Sequence, residues 1–168
     1  GIRSIPTMLL FNNGELKDNV NILSSEFGIF YGNNDLSIFY SGVILVGENY
    51  TLESDSMTYN TVLREATTFG YTEIISEDST YIESLGGTFR QESNNSNLKS
   101  SKIETSNYIL EADYINFDEE NSVYYAKNNV ILNIKESNYF VYGDEGIYDK
   151  SKNQTKIFRN SLLKKNIE

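Results

Sequence analysis

Three aspartates recur in one local setting, each following an apolar strand residue and a small or polar one: Leu52-Glu-Ser-Asp55, Leu110-Glu-Ala-Asp113 and Val141-Tyr-Gly-Asp144. Carboxylates are the only side chains here with an obvious catalytic use. A pair of them about 5–9.5 Å apart across a sugar linkage would suit glycoside hydrolysis. Histidine and cysteine are both absent, which excludes imidazole acid–base catalysis, thiol nucleophiles, disulfides and thiolate metal sites. The acids come once per recurring segment, each where a strand pattern slips, and Asp at such a corner bonds nearby backbone N–H groups. That placement favours a structural role, so no residue is assigned as catalytic, no metal or other cofactor is expected, and the chain reads as a non-enzyme.

The segments that carry these acids are copies of one unit. In Tyr108-Ile-Leu110-Glu-Ala112-Asp113-Tyr-Ile115-Asn-Phe117 the apolar residues alternate with period two, then continue one residue out of step after Ala112. Such a slip is what a bulge or bend between two short strands does to a side-chain pattern. The same shape recurs as Leu52-x-Ser54-Asp55-x-Met57-x-Tyr59, Ile82-x-Ser84-Leu85-x-Gly87-x-Phe89 and Val141-x-Gly143-Asp144-x-Gly146-x-Tyr148. Leu23-x-Ser25-Glu26-x-Gly28-x-Phe30 is a looser copy, and the starting positions 23, 52, 82, 110 and 141 are about 30 residues apart, a spacing typical of repeat architectures. Each unit is followed by a polar turn and a return strand with a small or turn-prone residue midway, at Gly42, Gly70, Asn129 and Asn160. These residues predict a second corner. The third unit is the weakest, with Leu85 in place of the acid and a long polar stretch over residues 91–97.

Composition agrees with strands throughout. The 168 residues include 13 Tyr and 9 Phe but one Pro and no Trp, and no segment sustains a helical apolar pattern, although residues 160–168 offer a short helix. A net charge of −10 argues against nucleic acid as a partner, because its binders cluster Lys and Arg against phosphates. The apolar run Met8-Leu-Leu-Phe11 is too short for a membrane span, and Gly1 in place of an initiator Met reads as a processed or truncated start.

Residues 1–15, GIRSIPTMLLFNNGE, resemble a strand segment of the thioredoxin family beside its cis-proline. No Cys-x-x-Cys accompanies them, so no redox activity carries over to Ile5 or Pro6. The residues themselves predict a strand over 7–11 and a turn at Asn12-Asn13-Gly14. Residues 1–19 are therefore treated as an N-terminal strand segment of open membership, and 20–168 as one β-repeat domain.

The recurring unit, apolar–small–Asp–aromatic followed by a strand with a central Gly or Asn before Val or Ile, resembles the OstA-like family of lipopolysaccharide-transport proteins. The resemblance covers residues 20–166. It implies an all-β, repeat-built antiparallel β-jellyroll or β-taco, an open stack whose facing sheets hold acyl chains of lipopolysaccharide or another lipid. It also implies a periplasmic, outer-membrane-associated setting, and pairing through sheet edges with itself or with other β-jellyroll transport proteins. The side chains expected to line the groove are Leu52, Met57, Tyr59, Ile82, Phe89, Leu110, Ile115, Phe117, Val141, Ile147 and Tyr148. A structural or carbohydrate-binding β-solenoid, with Tyr124 and Tyr125 stacking on sugars, is the alternative reading.

Overall fold

The computed structural model describes residues 9–11, 21–31, 35–47, 50–60, 62–63, 65–77, 79–90, 95–118 and 120–165. Fourteen strands follow in chain order: β1 (Leu9–Phe11), β2 (Asn21–Ser24), β3 (Phe27–Tyr31), β4 (Leu36–Val46), β5 (Tyr50–Asn60), β6 (Glu65–Ser76) and β7 (Tyr81–Ser84). The rest are β8 (Gly87–Arg90), β9 (Asn95–Glu104), β10 (Tyr108–Asp118), β11 (Val123–Ile134), β12 (Tyr139–Asp149), β13 (Gln154–Phe158) and β14 (Leu162–Lys165). Every pairing is antiparallel, and the strands join into one continuous sheet. The protein is all-β, as the strand-forming composition requires.

That sheet is folded over along its length. Register shifts fall between Tyr40 and Val43, Ser54 and Ser56, Glu111 and Tyr114, and Lys127 and Val130. On either side of each shift the buried residues change parity: Leu52 and Ser54 are buried before the corner of β5, Met57 after it. A bulge that reverses parity while the strand turns keeps the same sheet face inward. The two halves of the long strands thus form two facing layers. Direct contact across them is made by Tyr108 in the first half of β10 and Tyr148 in the second half of β12, whose ring centroids lie 4.6 Å apart.

The small or turn-prone residues expected at the second corner are where the backbone turns. Gly42, Gly70, Asn129 and Asn160 all have positive φ, at 68°, 79°, 51° and 52°. Gly and Asn tolerate that region best. At Gly70 a side chain would also run into the Asp55 carboxylate. The third unit, which lacks the acid, keeps its corner with Gly86 at φ 98° and backbone bonds from Leu85 N to Lys99 O (2.9 Å) and Lys99 N to Gly86 O (3.1 Å).

Two readings of the sequence need correction. The long polar stretch is shorter than expected, because β9 starts at Asn95, where Asn116 Nδ2 donates to Ser96 O (3.2 Å) and Asn97 Oδ1 (2.9 Å). The tail forms β14, not a helix, pairing with β12 from Tyr139↔Lys165 to Tyr142↔Leu162; residues 166–168 lie outside the described residues. In the N-terminal segment, whose membership the sequence left open, β1 pairs with β2 from Leu9↔Leu23 to Phe11↔Asn21. The predicted turn at 12–14 lies outside the described residues.

Candidate functional site

The repeated acids are built into the corners. Asp55 Oδ2 accepts from Tyr71 N (2.9 Å), Asp113 Oδ2 from Asn129 Nδ2 (2.9 Å) and Asp144 Oδ2 from Asn160 Nδ2 (2.6 Å), always 16 residues apart in sequence. Glu26 does the same in the looser first unit, accepting from Ser41 Oγ at 2.7 Å. Each acid ties the bulge of one strand to the corner of the next. Their recurrence is thus explained by the fold, and each is bonded to its own corner.

The expected groove-lining residues divide three ways. Leu52, Met57, Ile82, Leu110, Ile115 and Tyr148 are buried in one shared core; Tyr59, Phe89, Phe117 and Val141 are partly buried and pack against it. Ile147 does not belong with them. Gly146 and Tyr148 on either side of it point inward, so strand alternation sends Ile147 to the outer face, opposite Tyr125 and Lys156. The aromatic pair considered for sugar stacking is split by the same alternation. Tyr124 is buried, stacked between Phe117 (4.3 Å) and Tyr148 (5.8 Å), while Tyr125 is exposed.

Between β5 and β11 the interior is filled by these side chains, and the space between the layers opens at the C-terminal end. There a cleft of about 560 Å³ is bounded by Tyr108 and Leu132 in one layer, Thr155 and Ile157 in the other, and Leu163 at the sheet edge. Of the eleven residues expected to line a groove, only Val141 borders it. Strand periodicity gives the face a side chain takes but not how closely the opposite layer approaches. What opens the cleft is that β13 and β14 each pair with β12 alone among the described residues.

Among the described residues no Asp, Glu, Lys or Arg lines the cleft; Asn107, Asn153, Thr155 and Ser161 supply its neutral polar groups. Tyr108 borders the cleft too. Its hydroxyl is buried in the core beside those of Tyr148 and Thr105, and its pKa is raised far above the ordinary phenol value, first by burial and then by the Tyr148 hydroxyl. It therefore stays a neutral donor at any physiological pH. At the mouth, β14 is exposed along its whole length. The ammonium groups of Lys164 and Lys165 lie 5.0 and 5.8 Å from the ring centroids of Tyr142 and Tyr139.

Charged groups concentrate instead on the outer face. The Tyr71 and Tyr81 hydroxyls lie between the Glu73 and Glu83 carboxylates, with O···O distances of 2.7–3.1 Å, and each donates its one proton within this cluster. Lys102 then links Glu83 to Glu104, and Lys135 pairs with Glu104 at 2.8 Å. The Tyr71 bond holds the Glu83 carboxyl below its usual range, and Lys135 does so for Glu104. This ladder stitches β6, β7 and β9 together in solvent, where such pairs contribute modestly. Among the described residues no group of three or more acids could hold a metal ion.

No protein-family model and no curated protein matches this chain. Among solved structures it is distantly similar in fold to LptH from Pseudomonas aeruginosa, described as the LptA-homologous periplasmic component of the conserved lipopolysaccharide transport device. The match covers 86% of this chain and 94% of that one, at 7% identity and a TM-score of 0.39.

Proposed function

We propose that this protein is a lipid carrier, not an enzyme, that receives acyl chains of lipopolysaccharide or a similar amphiphile between its two β-layers. Its setting in this reading is the periplasm, on a route to the outer membrane. The observation that carries the proposal is the cleft itself. A largely apolar space of about 560 Å³, open to solvent and, among the described residues, free of charged side chains, falls in the ordinary range of about 300–1,000 Å³ for small-ligand sites. A wall of Leu132, Ile134, Val141 and Ile157 offers nothing to an anionic headgroup, so binding rests on the tails.

The edges of β13 and β14, unpaired among the described residues, belong to the same reading. A sheet edge left unpaired is a template for another strand, and pairing there with a like edge would extend the interior from one molecule into the next. The partner is a second copy or another protein of the same architecture.

Mass spectrometry of lipid released by mild extraction tests the carrier reading. The wild-type protein is expected to retain acyl lipid, and Thr155→Trp, which places a bulky ring in the cleft, is expected to lose it. Equal lipid in both proteins, or none in either, contradicts the proposal; the second result together with retention on a glycan array would favour a carbohydrate-binding module.

A further inference from the structure

The apolar wall of the cleft ends at a charged rim. In the layer whose edge is β14, Leu110, Leu132, Val141 and Leu163 stand opposite one another in turn across β10, β11, β12 and β14. One pleat nearer the open side, Tyr108, Ile134, Tyr139 and Lys165 do the same. Cross-strand partners share a face of the sheet. Ile134 and Leu163 border the cleft, so Lys165 stands on the cleft side of β14, about 7 Å along the strand beyond Leu163. Alternation sends Lys164 to the outer face, where its ammonium lies over Tyr142. The Lys165 ammonium is 5.8 Å from the Tyr139 ring centroid, a cation–π distance that keeps it over the rim. Lys135, which follows Ile134, is taken up by Glu104 (2.8 Å) and the Thr105 carbonyl (2.6 Å). Lys165, by contrast, has no carboxylate partner among the described residues.

We infer that Lys165 is a specificity residue for the head of the ligand, pairing with an anionic group, a carboxylate or phosphate, at the end of an acyl chain whose tail lies in the cleft. This rests on the acyl-carrier reading and adds to it the charge of the head group. The division of labour follows from the cost of burial. An anion drawn in among Leu132, Val141 and Ile157 would lose its water and gain no counter-charge, so it stops at the mouth, where the apolar wall ends and water remains. Lys165 is the cation that the ladder places there. The wall sets affinity through the tail, and the lysine ranks chains by their heads, anionic over neutral and neutral over cationic. With a net charge of −10 the molecule as a whole disfavours anions, so a preference for an anionic head requires a cation at contact distance.

The test titrates four probes of equal chain length, octanoate, octyl phosphate, 1-octanol and octyltrimethylammonium, into wild-type protein, Lys165→Gln and Lys164→Gln, followed by the methyl NMR signals of Leu132, Val141 and Leu163. Both lysines are exposed on an edge strand, so both variants are expected to fold. Lys165→Gln is expected to weaken octanoate and octyl phosphate about fivefold, the effect of one partly exposed ion pair, to leave octanol unchanged and to strengthen the ammonium probe. Lys164→Gln removes the same charge from the outer face and should change each anion by less than about twofold. Added salt should weaken the two anions in the wild-type protein and much less in Lys165→Gln. Which anion loses more distinguishes a carboxylate head from a phosphate. Equal losses from the two substitutions, an equal loss of octanol, or no loss of either anion overturns the role of Lys165 while leaving the acyl-carrier reading in place. Failure of every probe, octanol included, to bind the wild-type protein removes both.

Discussion

The middle of the sandwich and its C-terminal end are made from the same repeated unit, yet one is sealed and the other open. In the middle, Leu52, Met57, Leu110 and Ile115 meet side chains from both layers and neighbouring strands on each side, and all four are 1% exposed. At the end, Leu163 lies opposite Val141, which packs against the core, but stays 61% exposed, because among the described residues β14 has a single neighbour. Similar local chemistry thus gives a packed core or an open surface according to whether another strand follows. In a repeat fold each unit packs only on its neighbours, so the terminal unit keeps one open side.

Truncating one residue from each region should give the largest contrast. Leu110→Ala is expected to destabilise the protein by about 2–5 kcal/mol, the usual range for emptying a packed aliphatic site. Leu163→Ala should stay within about 0.5 kcal/mol while weakening acyl binding. Urea denaturation of both variants checks this, and similar losses for the two would mean that the ends are packed as tightly as the middle.

The corners sharpen the same comparison at smaller scale. Gly70→Ala puts a methyl group at φ +79° against Asp55 and should cost about 1–3 kcal/mol, as strained backbone does. Asn160→Gly, at the corner beside the cleft, relieves a φ of 52° but gives up the bond to Asp144, so the net change should be within about 0.5 kcal/mol. Thermal melting of the two variants would show whether middle and terminal corners differ in this way.

Edge pairing predicts self-association that grows with concentration. Sedimentation velocity should show species larger than a monomer, and a photo-reactive residue at Phe158 on β13 should crosslink to a neighbouring strand. A monomer at every concentration would leave the cleft as an isolated pocket.

The smallest expected effect lies in the turn between β12 and β13. Asp149 accepts from Lys152 N (3.1 Å) and Ser151 Oγ (2.6 Å) and pairs with the Lys152 ammonium. These contacts, the Lys152 side chain first, bring its pKa from 3.8 down to about 2. A carboxyl depressed by folding contributes stability above its unfolded pKa and loses it as pH falls through the folded value. The turn should therefore be intact above about pH 4 and weaken towards pH 2, with a carboxyl ¹³C titration of Asp149 centred near the lower value; a midpoint near 4 would mean that the turn is not held in solution.

Much of this molecule was legible in the order of its residues. The apolar–small–acid unit located the bulges, and Gly42, Gly70, Asn129 and Asn160 located the corners, because φ restrictions act on single residues and leave a local mark. Period-two alternation placed Leu52, Met57, Leu110 and Ile115 inside. The same rule, applied to both Ile147 and Tyr148, could satisfy only one of two adjacent residues, and Gly146 decided it by being the inward neighbour. The cleft was not legible, because its walls come from Tyr108, Leu132, Thr155 and Leu163, which are far apart in sequence. Its existence depends on which strand has no further neighbour, a property of the assembled sheet and not of any segment.

Photo-crosslinking with an acyl probe tests the central claim most directly. A benzophenone side chain placed at Leu163, on the cleft, or at Phe117, in the packed aromatic stack, reports which part of the interior a chain enters. The account predicts labelling from Leu163 and none from Phe117. Labelling from Phe117 that equals or exceeds that from Leu163 would contradict it, placing the lipid along the whole interior and not at its open end.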